Sequence, residues 1–286
     1  MSKDNESLVA LTIAGFDPSG GAGIVADIKT FTAFGCFAAA AVTSLTFQNT
    51  TGVFGAAHQT ADAVRAQVLP IVEDFAVAGV KTGMLPTREI IAEVARLFRE
   101  TNLPAPVVDP VVRSTSGYDL IDDAALQTLI VELMPHARVV TPNIPEAERI
   151  TGMLIRDEEG MRAAARRMRD MGARAVLVKG GHLEEKAEGG RRKAEEKQFA
   201  VDVLDAEGEV SVFRLERIET NATHGTGCTL AAAIAACLAR GMSLVESIAV
   251  AKRFVTDAIL HAPHIGRGHS PVNHNVPVRF DVAEDL

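Results

Sequence analysis

Short apolar runs alternate with longer segments whose apolar residues recur at helical spacing along most of the chain. The apolar runs predict strands over residues 8–14, 40–47, 78–82, 106–108, 139–140 and 175–179. The helical spacing predicts helices over 24–34, 60–75, 87–100, 124–134 and 158–171, and Thr87 is the expected N-cap of the third. This alternation is typical of an α/β fold with a central, mainly parallel sheet and helices on both faces.

The pattern changes in the last third of the chain. Two apolar runs, 199–204 and 209–214, flank a polar turn and predict a hairpin. The segment 184–198 is charged and nearly devoid of large apolar groups, which predicts a solvated loop. The tail, 265–286, is rich in Gly, Pro, His and Asn, so we expect a loop that covers the surface. No repeat or linker divides the sequence, which predicts one domain over 1–286.

Composition narrows the function classes. The net charge of −8 disfavours a general nucleic-acid binder but leaves nucleotide binding open. No strongly apolar run reaches the ~20 residues of a membrane span, and the N-terminus has no signal-peptide pattern. We therefore expect a cytoplasmic protein without nucleic-acid or membrane partners. The three cysteines have neither disulfide-framework nor zinc spacing, and Cys36 and Cys237 lie in apolar segments that predict burial.

A glycine-rich turn before an alanine-rich run is the most informative motif. Gly225, Thr226, Gly227 and Cys228 directly precede that run, which predicts a helix. A helix N-terminus presents free N–H groups and the positive end of the helix dipole, which suits a phosphate. The same field is expected to lower the pKa of the Cys228 thiol toward neutrality. Taken alone, the motif also fits an ordinary loop-to-helix turn.

A second glycine-rich loop, 15–23, follows the first predicted strand. It has neither the Lys-Ser/Thr ending of a P-loop nor G-x-G-x-x-G spacing, and instead suits close approach of a ligand to the backbone. Asp27, in the following helix, can accept a hydrogen bond from a ligand hydroxyl. It can equally be an ordinary first-turn carboxylate that the helix dipole stabilises. Gln48 and Asn49 can read a heteroaromatic ring or serve as turn residues.

Polar residues also follow several predicted strands, where ligands bind in parallel sheets. Asp109, Asn143 and Glu146 offer oxygen atoms that can organise Mg²⁺ through water. Lys179 can place a positive charge beside a transferring phosphate. Each has a plainer interpretation, since Glu146 also fits the start of a helix and Lys179 a solvated strand end.

Together these motifs resemble the ribokinase-like kinases, and within them the hydroxymethylpyrimidine/phosphomethylpyrimidine kinases of thiamine biosynthesis. The resemblance runs in order from about Leu8 to His274. The matching segments are 13–24 (Ile-Ala-Gly-Phe-Asp-Pro-Ser-Gly-Gly-Ala-Gly-Ile), 26–31, 48–53, 81–85, 108–111, 141–148, 178–183, 223–229 and 265–274.

The resemblance implies a ribokinase-like fold, a homodimer, and transfer of the ATP γ-phosphoryl group, with Mg²⁺, to 4-amino-5-hydroxymethyl-2-methylpyrimidine and then to its monophosphate. It implies a pyrimidine site formed by Gly15, Ala22, Asp27, Gln48 and Met84. It further implies an anion hole and phosphate-handling groups at Gly225, Thr226, Gly227, Cys228 and Lys179, with Cys228 as general base. ATP is expected at Asn143, Lys179, Thr226 and Arg113, and the metal at Asp109 and Glu146.

Two departures and three alternatives accompany this resemblance. Thr115 stands where many relatives carry a lysine, and Arg113 can supply the missing charge to ATP or to a substrate phosphate; the insert 184–198 is longer than expected. Some relatives phosphorylate pyridoxal through the same Gly-Thr-Gly-Cys arrangement, although Gln48 and Met84 favour the aminopyrimidine. A sugar kinase is disfavoured because the Gly-Ala-Gly-Asp ending is absent. A catalytically inactive pyrimidine-binding regulatory module is disfavoured because Cys228, Asp109 and Lys179 are all present.

Overall fold

A computed structural model describes residues 7–112, 120–181 and 198–281. Within these residues one sheet has the strand order β3-β2-β1-β4-β5-β6-β7-β8-β9. Neighbouring strands from β2 to β7 pair in parallel, whereas β3, β8 and β9 pair antiparallel to their neighbours. The strands are β1 Val9–Phe16, β2 Phe37–Asn49, β3 Gly52–His58, β4 Val77–Thr82, β5 Val107–Val108, β6 Val139–Val140, β7 Ala175–Gly180, β8 Phe199–Ala206 and β9 Glu209–Glu216.

Most of the described helices begin after a residue whose side chain caps them. Thr60, Thr87, Asp122, Asp157 and Ser243 each accept a backbone N–H from the first turn of the helix that follows. The helices are α1 Gly23–Ala33, α2 Ala61–Asp74, α3 Arg88–Glu100, α4 Asp123–Thr128, α5 Ile144–Thr151, α6 Glu158–Asp170, α7 Thr226–Ala239 and α8 Leu244–Leu260. After α4 the chain continues as a π-helical turn, Leu129–Leu133, and then as a 3₁₀ turn, Met134–His136. Among these helices none is long and apolar enough to span a bilayer.

Alternating residues along the strands pack into two separate hydrophobic cores, one on each face of the sheet. Leu11, Val80 and Val178 pack on one face beneath α2 to α6. Ala10 and Leu177 lie on the other face, beneath α1, α7 and α8. This period-2 division follows from strand geometry and confirms the predicted layers of helices on both faces.

Several expectations can be compared directly with the fold. The predicted strands, the 199–214 hairpin and the Thr87 cap are confirmed, as is the burial of Cys36 and Cys237. The strand β3 and helix α8 were not predicted, although the capping box at Ser243 marks the start of α8. The predicted loop 184–198 lies, apart from Gln198, outside the described residues, and so do Arg113 and Thr115.

Candidate active site

The parallel strands end in polar residues on the face that packs against α7. The period of the strands places these positions on the same face as Ala10, Val107, Val139 and Leu177 of the second core. Their side chains contact one another or the helices above them. These residues are Thr12 on β1, Lys81 on β4, Asp109 after β5, Thr141 after β6 and Lys179 on β7.

Helix α7 begins directly over this row. Gly225 has a φ of 83°, and a Cβ atom added there would lie 1.8 Å from the Gly21 carbonyl oxygen, so only glycine fits. A Cβ atom on Gly227 would lie 3.2 Å from Lys179 Nζ and 3.7 Å from Asp109 Oδ2. No side chain caps α7. The start of α7 therefore combines backbone amides, the helix dipole and a lysine, and this combination suits an anion.

Lys179 and Asp109 form an ion pair beside Gly227. The Lys179 ammonium donates to Asp109 Oδ1 at 2.9 Å, and the Thr141 hydroxyl donates to the same oxygen at 3.3 Å. Burial opposes the ammonium, but the charges of Asp109 and Glu146 outweigh burial and raise the pKa of Lys179. Lys179 is thus held as a cation close to the start of α7.

Asn143 and Glu146 start α5 as a capping box. The Glu146 amide donates to Asn143 Oδ1 at 2.9 Å, and the Asn143 amide donates to Glu146 Oε2 at 2.8 Å. The helix-start interpretation of Glu146 is therefore confirmed. Burial raises the pKa of Glu146 to about 7, against the opposing charge of Lys179. At neutral pH this carboxyl group lies near the midpoint of its titration.

The donor set near α7 suits a metal that keeps most of its water. The residues that the structure describes hold no group of three or more His, Cys, Asp or Glu side chains able to bind a metal. Asp109 and Glu146 lie close enough for their charges to interact. Mg²⁺ commonly binds through one or two carboxylates together with substrate phosphates, so these two residues fit such an ion.

Cys228, the third residue of α7, is half-buried. Burial raises its pKa to about 11, and the nearby charge of Lys81 opposes this rise without overcoming it. The expected fall of the thiol pKa toward neutrality is therefore wrong for the protein without ligands. The helix dipole favours a thiolate, but the removal of water at this position disfavours it more strongly.

Lys81 was not singled out from the sequence. Its ammonium donates to both oxygens of Asp27, at 2.8 and 3.0 Å, and the Thr12 hydroxyl donates to the same carboxylate at 2.6 Å. Burial lowers the pKa of Lys81, but the Asp27 carboxylate outweighs burial and raises it above its usual range. Asp27, predicted in the pyrimidine site, thus already has three hydrogen bonds beneath Cys228. A lysine within an otherwise apolar strand was the available signal.

Three of the predicted pyrimidine residues lie around the ends of β1 and β2. Met84 packs over Gly15, since a Cβ atom on Gly15 would lie 3.1 Å from Met84 Sδ. The Thr43 hydroxyl donates to the Met84 carbonyl at 2.6 Å and fixes that segment against β2. Gln48 is half-buried near the end of β2, on the strand face that carries Thr46.

Asp17, another residue missed from the sequence, joins the two glycine-rich loops. Its carboxylate accepts hydrogen bonds from the amides of Gly21 and Ala22, at 3.2 and 2.9 Å, and contacts His224 Nε2 at 2.8 Å. Burial opposes ionisation, but the bonds from His224 and Ser19 outweigh it and lower the pKa of Asp17 to about 2. The predicted Ala22 position is thereby fixed relative to the anion site.

The C-terminal tail covers the back of this junction. The His224 amide donates to the Ser270 carbonyl at 3.2 Å, and His274 Nε2 contacts the Thr229 hydroxyl at 3.0 Å. Burial lowers the pKa of His274 to about 4, so this histidine is neutral at physiological pH. The tail therefore packs against the first turn of α7, in keeping with the predicted covering loop.

Comparison with known proteins identifies the family. A family model described as phosphomethylpyrimidine kinase matches residues 17–273. The thiamine biosynthesis bifunctional protein ThiED of Geobacter sulfurreducens is 47% identical over 92% of this chain, which spans only 51% of that protein. The hydroxymethylpyrimidine/phosphomethylpyrimidine kinase of Streptomyces coelicolor is 42% identical, with 93% of this chain and 94% of that protein covered.

A solved structure supports the same assignment of fold. The ADP complex of Bacillus subtilis pyridoxal kinase matches with a TM-score of 0.83 and 35% identity, covering 94% of this chain and 98% of that one. The expected ribokinase-like fold is confirmed. The family model covers β2 to β9 and the first turn of α7, and the Streptomyces coelicolor relative aligns with 93% of this chain. The chain therefore belongs to the phosphomethylpyrimidine kinase family.

Proposed function

We propose that this protein transfers the γ-phosphoryl group of ATP to 4-amino-5-hydroxymethyl-2-methylpyrimidine and then to its monophosphate, giving the diphosphate used in thiamine diphosphate biosynthesis. The observation that carries the proposal is the uncapped start of α7, with Gly227 set against the Lys179–Asp109 pair. Membership of the phosphomethylpyrimidine kinase family supplies the reaction class. The whole chain acts as one kinase domain in this proposal, because the strands of its described residues join one sheet.

The phosphate side of the reaction depends on charge placed before the substrate arrives. The amides at Gly225, Thr226, Gly227 and Cys228 form the anion hole that stabilises charge on the transferring phosphoryl group. Lys179 exchanges part of its contact with Asp109 for that phosphoryl group. Asn143 and Thr226 lie beside the phosphates of ATP in this arrangement, and Arg113 is the further residue predicted to bind ATP. Phosphoryl transfer needs such positioning and electrostatic stabilisation more than covalent chemistry by the protein.

The acceptor side uses the neighbouring glycine-rich loop. The pyrimidine ring packs against Met84 and Gly15, and Gln48 donates to and accepts from the ring nitrogen and amino group. Ala22 lines the side of the ring near the anion hole. Asp27 supports this site indirectly, because it holds the Lys81 ammonium in place and does not contact the ring.

Cys228 is the proposed general base for the substrate hydroxyl group. As the oxygen forms its bond to phosphorus, its proton passes to the Cys228 sulfur, and the bond from phosphorus to the β-phosphate oxygen breaks. The charge of Lys81 favours the thiolate needed for this transfer. General-base catalysis of this kind contributes about 10²–10⁴-fold to the rate.

Mg²⁺ is the proposed metal, with Asp109 and Glu146 holding it through water. When bound, it neutralises charge on the ATP phosphates. Glu146 then acts in its ionised form, which the charge of the bound cation favours.

Pyridoxal is the second candidate substrate. Bacillus subtilis pyridoxal kinase matches this chain closely in structure, and pyridoxal also presents a hydroxymethyl group on a heteroaromatic ring. The two substrates differ at the ring edge that Gln48 reads, because only the aminopyrimidine offers an amino group beside a ring nitrogen.

A homodimer is also proposed. Three large apolar side chains are exposed together near the tip of the β2–β3 hairpin, at the edge of the sheet: Leu45, Phe47 and Phe54. Exposed apolar groups on an edge hairpin are suited to burial between two copies. Light scattering is expected to give twice the chain mass, and Phe54→Asp is expected to give the monomer.

The deciding experiment supplies ATP and Mg²⁺ with hydroxymethylpyrimidine, its monophosphate and pyridoxal in parallel, and identifies each product. Diphosphate formed from the monophosphate is the expected result. If pyridoxal is the one compound phosphorylated, the protein acts in vitamin B6 salvage instead. Pyrimidine binding with no turnover of the three compounds favours a regulatory module and contradicts the proposal.

Cys228→Ser tests the general base within the same assay. The expected fall in kcat is about 10²–10⁴-fold, with the KM values for pyrimidine and ATP nearly unchanged. Cys36→Ser is the matched control, because Cys36 is buried in the second core and outside the site. Wild-type turnover by the Cys228 variant contradicts the assignment.

A further inference from the structure

A third lysine–carboxylate pair continues the polar row beyond the site. Asp202 on β8 stands directly opposite Lys179 on β7 in the strand register, and Lys252 of α8 lies above it. Across the sheet the charges therefore alternate in a fixed order: Asp27, Lys81, Asp109, Lys179, Asp202 and Lys252. Asp202 and Lys252 are both buried and belong to none of the substrate, nucleotide or metal positions described above.

Both oxygens of the Asp202 carboxylate are occupied. Lys252 Nζ donates to Oδ2 at 2.5 Å, and the Gly180 amide donates to Oδ1 at 3.0 Å. Gly180 follows Lys179 directly, and a Cβ atom there would lie 2.2 Å from the Val201 carbonyl oxygen. On the other side, the Lys179 amide donates to the Pro142 carbonyl at 2.8 Å. The backbone at Lys179 and Gly180 is thus held by Asp202 of β8 on one side and by the segment that follows β6 on the other.

Asp202 is also a potential competitor for the Lys179 ammonium. Residues directly opposite in an antiparallel pair have Cβ atoms about 4.5–5.5 Å apart, which lies within reach of a lysine side chain. Lys179 nevertheless pairs with Asp109, on the side where Gly227 begins α7. A carboxylate already bound to a cation attracts a second cation much less strongly than a free one.

We infer that Lys252 is a positioning residue, which engages Asp202 so that the Lys179 ammonium stays with Asp109 at the start of α7. This inference rests on the proposed function, because it assumes that Lys179 handles phosphate. Without Lys252, the buried Asp202 carboxylate competes with Asp109 for the Lys179 ammonium, and Lys179 is drawn from Gly227 toward β8. Removing the charge of Asp202 as well should return Lys179 to its place.

The test compares Lys252→Met with the double variant Asp202→Asn/Lys252→Met. We expect Lys252→Met to lower kcat per folded molecule about tenfold or more. This loss is smaller than the loss of about 10²–10³-fold that follows removal of one transition-state donor. The double variant should recover most of that loss. A structural role alone predicts that both variants lower the melting temperature while kcat per folded molecule stays unchanged, and that result overturns the inference.

Arg169→Met is the matched control. Arg169 pairs with Asp205 at 2.9 Å, a buried carboxylate on the same strand as Asp202 but on the opposite face. This variant also leaves a buried carboxylate without its cation, away from Lys179, so it should lose stability but keep kcat. If Lys252→Met does not fold, Lys252→Gln replaces it, and Lys252→Arg should retain wild-type turnover.

Nucleotide affinity separates failure of the inference from failure of the proposed function. Calorimetry with ADP requires no pyrimidine substrate, so it applies even if the wild-type protein phosphorylates none of the three compounds. We expect weaker ADP binding by Lys252→Met and recovery in the double variant. Equal ADP affinity in the wild type, Lys252→Met and Arg169→Met contradicts the inference regardless of which substrate the protein accepts.

Discussion

Two lysine–carboxylate pairs lie on either side of the start of α7, and they differ in their access to solvent. Asp27 and Lys81 are both 0% exposed. Lys179 is 13% exposed and Asp109 4%, and this pair adjoins Gly227. The same two residue types thus form one sealed pair beneath Cys228 and one pair that opens onto the start of α7.

This difference determines what each pair can do. A sealed ion pair has no alternative partners, so the loss of one member leaves an uncompensated charge in the interior. A pair at the edge of a site can exchange a carboxylate for a phosphate, because water or ligand takes up the released group. The sealed pair therefore fixes the electrostatics under Cys228, and in the proposed reaction the open pair acts on the transferring phosphoryl group.

The largest effect is expected from Lys81→Met. Removing this ammonium leaves the Asp27 carboxylate buried beside a single hydroxyl, so the free energy of unfolding should fall by about 3–5 kcal/mol. Urea denaturation measures the change. Arg88→Met, which removes an exposed pair with Glu89, should change it little. If stability is unchanged and turnover is abolished, Lys81 acts in the reaction as Lys179 is proposed to do. The two pairs then do not differ in this way.

The next effect is expected from Lys179→Met, which breaks the open pair. Turnover should fall about 10²–10³-fold, because one donor to the transition state is lost. The free energy of unfolding should fall less than in Lys81→Met, since Asp109 keeps the Thr141 hydroxyl and faces the site. Steady-state kinetics and urea denaturation on the same samples measure both. A large loss of stability with little loss of turnover reverses the assignment of the two pairs.

The sequence predicted the open pair better than the sealed one. Strand ends in a parallel sheet meet at one edge, so Asp109 and Lys179 were expected near each other despite a separation of 70 residues. The partners of Lys81 and Asp17 depend instead on which helix and loop close over the sheet. His224 lies 207 residues from Asp17, and no local pattern joins them.

Local patterns also gave the wrong sign where burial dominates. The position of Cys228 in the first turn of α7 predicted a lowered pKa, but desolvation raises it. For Glu146 the local pattern was correct, since Asn143 and the spacing of three residues form a capping box. Its proximity to Lys179, however, comes from the packing of α5 against β7, which periodicity does not reveal.

The smallest of these effects is expected from Glu146→Gln, which tests a feature of the open pair. Burial raises the pKa of Glu146 from 4.5 to about 7, so the folded protein keeps a proton that the unfolded chain has released between those values. Stability from this group is therefore full below pH 4.5 and lost as the pH rises through 7. Glutamine keeps the capping box but does not titrate. The unfolding free energy of Glu146→Gln relative to wild type should rise by about 2–3 kcal/mol from pH 5 to 7.5.

Urea denaturation of both proteins across that range measures this difference, because other titrating groups cancel in the comparison. A parallel pH dependence of the two proteins means that Glu146 is already ionised when folded. Lys179 is then shared between two carboxylates, Asp109 and Glu146. It is held more tightly than an ammonium that exchanges a carboxylate for a phosphate should be. A diverging pH dependence means that Glu146 stays protonated until a cation or a higher pH removes its proton. The site then adds a negative charge only when a bound cation can balance it.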